Sequence, residues 1–201
     1  MNTKFVAGAN ARKKWSKNLC DVKKTMTMKS YNEMMGGVFQ KICNIVLDPS
    51  NKRQSTLMVD VVNKSEWDEK TENIYVLVRN GNIMKIGGTR DGMKGRWSSY
   101  GCGYYVPERC NKKGESYPGK MSVTNAYLYH TIETDLLENG SKWEFYTWKL
   151  PRKTFTISIA DVEVDVIAQT FHAYESVCIK KFEDENGYIP FLCYNSDPDY
   201  K

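Results

Sequence analysis

The sequence predicts an α+β fold: a small, mostly antiparallel sheet flanked by helices, with a basic and helical N-terminal extension. Three observations predict it. The stretch "NIYVLVRNGNIMKIGG" holds two short apolar runs around Asn80-Gly81, the signature of a β-hairpin. "KWEFYTWKL" and "KTFTISI" alternate in the manner of strands. Between and after them come stretches with helical spacing that end at Gly101, Gly140 and Asn186-Gly187. At 201 residues the chain suits one hydrophobic core. Residues 1–72 read as a basic arm with a helical extension, and residues 73–201 as the domain that carries the chemistry.

Taken in order, "YNEMMGGVFQKICNIV" (31–46) has helical spacing at Met35, Phe39, Ile42 and Val46, with Gly36-Gly37 its weak point. Residues 73–88 form the hairpin. "RDGMKGRWSSYG" predicts a short helix capped by Asp91 and ended by Gly101. Residues 101–123 lack periodicity and predict a loop. "TNAYLYHTIETDLLENG" predicts a helix capped by Thr124 and closed by Gly140. The stretch from Asp165 to Gly187 predicts the longest helix, and the tail from Tyr188 reads as irregular.

Composition and charge bound the function. A hydrophobic fraction of 41% and a charged fraction of 26% are ordinary for a globular domain. No run of eighteen apolar residues offers a membrane span, and no apolar leader marks a signal peptide, so a cytoplasmic protein with no membrane partner is expected. The six cysteines (Cys20, Cys43, Cys102, Cys110, Cys178, Cys193) then read as reduced thiols. Residues 1–30 hold eight basic side chains against Asp21 alone, a local +7 in a chain of net +5. A polyanion is the natural partner of such a segment, and a solvated leader is the bland alternative.

The hairpin poses a question, because Lys85 sits inside its second strand. Two registers are open. A two-residue loop puts Tyr75 and Lys85 on opposite faces. A three-residue loop with Gly81 left-handed pairs Val78 with Asn82 and sets Tyr75 directly opposite Lys85. In the second register the ammonium would favour the phenolate and make Tyr75 a candidate general base. Downstream, Arg96 and Tyr100 are four apart and share a helix face, and arginine offers a planar fork suited to phosphate oxygens. At about 100° per residue, Ile167, Phe171, Tyr174, Cys178 and Phe182 share one arc of the last helix. Glu175 falls inside that arc, where a carboxylate is costly unless paired or metal-bound.

The segment "NIYVLVRNGNIMKIGGTRDGMKGRWSSYGCG" resembles the core of the GIY-YIG nuclease superfamily, closest to the type II restriction endonucleases whose second motif reads "KIG". "NIY" stands for GIY and "KIG" for YIG, and the resemblance runs from about residue 73 to 195. It implies a sequence-specific double-stranded DNA endonuclease using Mg²⁺ or Mn²⁺. Tyr75 would be the general base or orient the water, and Lys85 would hold that phenol reactive. Arg96 would bind the scissile phosphate and Tyr100 would contact it. Glu175 would be the protein ligand of the metal, and Asn195 is a weaker candidate. The same resemblance implies a homodimer and a cognate DNA methyltransferase. For DNA, Lys94 and the arm residues Arg12, Lys13, Lys14 and Lys17 are the expected backbone contacts, with Trp15 among them.

Other signals weigh less. "DVEVD" (Asp161, Glu163, Asp165) suits a solvated strand better than a metal site. Cys102 and Cys110 are too widely spaced for a zinc knuckle, and His130 and His172 read as packing or hydrogen-bonding residues. A non-catalytic or repair-type nucleic-acid-binding protein on the same scaffold is the alternative, and the complete set Tyr75, Lys85, Arg96, Glu175 favours the enzyme.

Overall fold

"NIYVLVR" sets the architecture, because every residue from Asn73 to Val78 is buried. A strand with no polar side belongs in the middle of a sheet covered on both faces. The computed structural model describes residues 25–50, 55–101, 108–110, 116–118 and 120–193. In chain order its elements are α1 (Met28–Met34), β1 (Gln40–Leu47), β2 (Leu57–Val61), α2 (Lys64–Asp68), β3 (Asn73–Arg79), β4 (Asn82–Thr89) and α3 (Gly92–Gly101). Then follow β5 (Glu108–Cys110), β6 (Ser116–Pro118), α4 (Lys120–Asn139), β7 (Trp143–Lys149), β8 (Lys153–Ile159), β9 (Val162–Ala168), α5 (Phe171–Asn186) and a 3₁₀ turn at Phe191–Cys193.

The fold is mixed α+β, as expected. Five strands form one sheet in the order β2-β1-β7-β3-β4, and every pairing is antiparallel. On one face Tyr75, Leu77 and Phe145 pack with Met93 and Tyr100 of α3 and Leu128 and Ile132 of α4. On the other, Ile74, Val76 and Ile86 pack with Tyr31 of α1 and Cys178 and Phe182 of α5. The Tyr31 hydroxyl donates to the Cys178 carbonyl at 2.9 Å and ties α1 to α5. β5 pairs with β6, and β8 pairs with β9, in separate two-stranded ribbons.

Several elements differ from the sequence expectation. Residues 31–46 are not one helix: α1 stops at Met34, Gly36 and Gly37 turn the chain at φ 80° and 74°, and β1 follows. The apolar spacing imitates a helix because β1 lies between β2 and β7, where Ile42, Cys43 and Ile45 are all buried. Asp165–Ala168 belong to β9, so the last helix begins only at Phe171. α4 starts at Lys120, which places Thr124 inside it rather than at its cap, and its 20 residues exceed the 16 of α5. Residues 101–123 contain β5, β6 and the start of α4. β1 and β2 join the same sheet as β3, so the sheet draws on both sides of residue 72. Arg12, Lys13, Lys14, Trp15, Lys17 and Asn195 lie outside the described residues.

Candidate active site

The hairpin reaches the expected face by an unexpected route. Asn80 and Gly81, at φ 48° and 83°, form a two-residue loop, so Arg79 pairs with Asn82 and Val78 with Ile83, not with Asn82. A bulge at Met84 then shifts the register and puts Lys85 opposite Leu77 and Gly87 opposite Tyr75. The one-residue shift returns Tyr75 and Lys85 to the same face, displaced by one pair instead of directly opposed. Lys85 is buried, and its ammonium donates to the Leu192 carbonyl at 3.1 Å. Its contact is thus with the turn after α5, and the cation at the Tyr75 phenol is a different one.

That cation is Arg96. From α3 its Nε donates to the Tyr75 hydroxyl at 3.2 Å and its Nη2 to the Tyr100 hydroxyl at 3.0 Å. The two hydroxyls share a short hydrogen bond with each other. The spacing of Arg96 and Tyr100 on one face of α3 brings both to the β3 tyrosine, as their spacing predicts. Phe145 of β7 fixes the rings: Tyr75 meets it edge-on at 5.8 Å and Tyr100 stacks on it at 6.5 Å. The guanidinium lies 4.5 Å from the Tyr100 ring centre and gains a cation–π contact.

Proton accounting shows what this triad can do. Burial, and after it the neighbouring Tyr100 oxygen, pushes the Tyr75 pKa well above its ordinary value, and Arg96 only partly opposes them. Tyr75 is therefore a neutral phenol in the free protein, which corrects the expectation of a phenolate held by Lys85. One phenol donates to the other, so the accepting partner keeps an O–H to offer outward. Burial also works against the Arg96 charge, but the oxygens of Tyr100 and Tyr75 outweigh it and raise its pKa, so it is a fixed cation. Two of its five N–H groups are used by the phenols. No carboxylate pairs with it among the described residues, which leaves a half-buried positive charge without an anion.

Two glycines in β4 make room for the site. A Cβ on Gly87 would overlap the Tyr75 hydroxyl, so the phenol passes across a strand that only glycine can supply. A Cβ on Gly88, on the opposite face, would stand 2.6 Å from Phe171 Cδ2 and 3.1 Å from Glu175 Oε2. The doubled glycine inside a strand was the available sequence signal for both close approaches. Glu175 therefore reaches β4 one residue along from Tyr75's contact, from the α5 side. It is half-buried and makes no hydrogen bond or ion pair among the described residues. No direct hydrogen bond joins it to Tyr75, Tyr100 or Arg96.

β4 is the sheet's edge, and the tail seals it. The Cys193 thiol accepts from the Ile86 N–H at 3.4 Å and donates to the Ile86 carbonyl at 3.3 Å, and burial pushes its pKa up, which keeps the proton it donates. With Lys85 on Leu192, the 3₁₀ turn is stapled to β4 beside Gly87 and Gly88. Cys43, Cys178 and Cys193 are free thiols.

The remaining candidates separate. Lys94 is exposed and paired to Asp68 at 2.8 Å, sharing that carboxylate with Lys64. Glu163 and Asp165 are exposed on β9, and the Thr156 hydroxyl donates to Asp165 at 2.8 Å, so "DVEVD" is a solvated strand. His130 pairs with Glu133 at 3.1 Å on α4, and His172 is exposed at the start of α5. Among the described residues no group of three or more His, Cys, Asp or Glu could enclose a metal ion. Glu175, a lone carboxylate with free oxygens, fits only a cation that keeps most of its waters. No helix among the described residues is long and apolar enough to cross a membrane.

Among solved structures the fold is similar to "Restriction endonuclease HPY188I in complex with product DNA", at 18% identity over 89% of this chain and 91% of that one, with a TM-score of 0.48. It is also similar to a mutant form of bacteriophage T4 EndoII, at 18% identity over 79% of this chain and 96% of that one, with a TM-score of 0.47. No protein-family model matches the chain, and no curated protein does.

Proposed function

We propose that this chain is a GIY-YIG-type, divalent-metal-dependent endonuclease that cuts double-stranded DNA at specific sequences, as type II restriction enzymes do. We further propose that it acts as a homodimer on two-fold symmetric sites. One observation carries the reading: the Arg96 guanidinium is held by two buried phenols and has no carboxylate beside it among the described residues. A group so placed is prepared for an incoming phosphate, whose charge would complete the site.

In this reading Arg96 binds the scissile phosphate with its unused N–H groups and stabilises the charge that grows on its oxygens. Tyr75 works as a neutral phenol. It accepts the proton of the attacking water as its own passes to Tyr100, and Tyr100 passes one on to a phosphate oxygen. The short bond between the two hydroxyls is the path for that relay. Lys85 acts by position, fixing the Phe191–Cys193 turn against β4. Glu175 would hold the Mg²⁺ or Mn²⁺, which when bound would polarise a phosphate oxygen and acidify its waters. Lys94 and the basic arm would take backbone phosphates.

The test is digestion of plasmid and phage DNA with Mg²⁺, with and without EDTA. Discrete fragments with Mg²⁺ only are expected, and Glu175→Gln should stop cleavage while DNA binding stays measurable. Cleavage that survives EDTA or the Glu175→Gln change contradicts the metal assignment. Salt-sensitive DNA binding with no cleavage by the wild type would instead favour the non-catalytic scaffold.

A further inference from the structure

At one end of the five-stranded sheet the chain encloses a cavity of about 670 Å³. Glu69, Lys70 and Glu72 line it from the connection between α2 and β3, Arg90 from that between β4 and α3, and Lys149 and Arg152 from the end of β7 and the turn beyond it. Four cations thus meet two carboxylates, and both carboxylates are engaged. Glu69 pairs with Lys149 at 2.5 Å. Glu72 accepts from the Thr170 N–H at 2.9 Å and from its hydroxyl at 3.0 Å, at the start of α5. Among the described residues Arg90 bonds only its neighbour Asp91, at 3.2 Å and 3.3 Å, in an exposed pair that solvent screens. Lys70 and Arg152 make no hydrogen bond or ion pair among the described residues. Cations brought together from three separate connections repel one another, so the fold gains nothing by gathering them.

Strand register places this cavity beside the phenols. Tyr75 stands in one row with Gly87 and Thr147, and Asn73, Thr89 and Lys149 form the row two residues further along. That is about 7 Å along the strands, and Glu72 and Arg90, one residue beyond, lie at about 10 Å. The other end of the sheet answers its cations: Arg79 has Asp135, and Lys142 has Glu144 at 3.0 Å.

We propose that this cavity seats a second backbone phosphate of the strand being cut, about one to three nucleotides from the phosphate on Arg96, gripped by Arg90 and Arg152 with Lys70 beside them. This rests on the nuclease reading for its polyanion, but the contact itself needs no cleavage. The charges of one DNA strand recur about every 3.4 Å of helix axis. A strand lying along β3 with one phosphate on Arg96 therefore carries another past the cavity. The volume falls in the range of about 300–1,000 Å³ that takes a drug-sized ligand, which is room for one sugar–phosphate unit. The guanidiniums offer planar forks to phosphate oxygens, and the exposed Asp91 gives way to a second anion at little cost. Held at two points, the strand cannot pivot about Arg96, so the scissile phosphate keeps one orientation toward the attacking water. Arg90, Arg152 and Lys70 are positioning residues in this account, since none touches the reacting atoms.

The experiment is fluorescence anisotropy of the full chain with a short labelled duplex in EDTA, so that binding is read without metal-dependent cutting, across a range of salt. The double variant Arg90→Ala/Arg152→Ala should lower the slope of log affinity against log salt by about 2 and weaken binding on the order of tenfold at about 0.1 M salt. Arg90→Lys/Arg152→Lys should keep the wild-type slope, and Lys142→Ala, at the far end of the sheet, should change neither quantity. Circular dichroism checks that the variants fold. A second reading leaves the protein intact: single phosphates flanking the cut are replaced by neutral methylphosphonates. One position should weaken the wild type several-fold and leave the double alanine variant indifferent, as two groups in one contact do. A double variant with the wild-type slope overturns the proposal, and so does a scan in which every neutral linkage weakens both proteins alike. If that variant also cleaves normally, the nuclease reading stands without the cavity. A wild type that binds steeply but never cleaves sinks the nuclease reading, and the slopes alone then decide the cavity. A wild type that binds no duplex overturns both.

Discussion

Two arginines serve the same sheet and end in opposite states. Arg79, at the end of β3, meets the fully buried Asp135 of α4 in a fork: Nε to Oδ2 and Nη2 to Oδ1, each 2.7 Å. Asp135 also accepts from Asn139 at 2.7 Å and from the Trp143 indole at 2.8 Å, so its charge is enclosed and answered on every side. Arg96 presents the same fork to two neutral phenols. Both guanidiniums are half-buried and both cost desolvation, but among the described residues only the first recovers it from an anion. Under the proposed function, the difference separates a structural cation from a phosphate-binding one. Burial is shared; what separates them is whether the countercharge is already present.

The comparison can be broken at its closed end first. Burial works against the Asp135 charge, but the bonds from Arg79, Asn139 and Ser141 outweigh it and hold its pKa below the ordinary value. Asp135→Asn removes the anion from the Arg79 fork and should cost about 3–5 kcal/mol of stability, read from urea unfolding. A folded-state pKa that is lowered contributes stability above the unfolded carboxylate pKa of about 3.9 and loses it as pH falls through the folded value. The variant should therefore lose stability less steeply than the wild type below about pH 4.

Lys94 lies between the two arginines, since its ion pair with Asp68 is on the surface and can be exchanged for a phosphate. Lys94→Ala should weaken DNA binding modestly and reduce the slope of log affinity against log salt by about 1. Deleting residues 1–24, which carry seven of the chain's basic groups, should flatten that slope several-fold more. Equal slopes in all three proteins would remove both from the DNA interface.

How much of this was legible in the sequence follows from how local each feature is. The Asn80-Gly81 turn, the shared face of Arg96 and Tyr100, and Glu175's direction toward the sheet each depend on a few adjacent residues. The Met84 bulge does not: nothing in "NIMKIGG" marks it, yet it decides which face Lys85 takes. Lys85 itself answers to a carbonyl 107 residues away, and Arg79 to an acid 56 away, so no spacing rule could pair them. Apolar periodicity failed where strands are covered on both faces, as in β1, because burial on two sides erases the alternation that separates strand from helix. The exposed β9 is absorbed into the following helix for the reverse reason: Val162, Val164 and Ile167 are all exposed, so no buried face distinguishes it from a helix stripe.

The most direct measurement pairs Arg96→Met with Arg79→Met and reads two quantities for each: the thermal midpoint and the single-turnover cleavage rate of phage DNA in Mg²⁺. An arginine awaiting its anion should be dispensable to the fold and essential to the reaction. Arg96→Met should keep a midpoint within a few degrees of wild type and lose on the order of a thousandfold in rate. Arg79→Met should lower the midpoint markedly, while its folded fraction cleaves at close to the wild-type rate. If Arg96→Met unfolds as readily as Arg79→Met, or cleaves at the wild-type rate, the distinction between the two arginines is wrong and the site must be sought elsewhere.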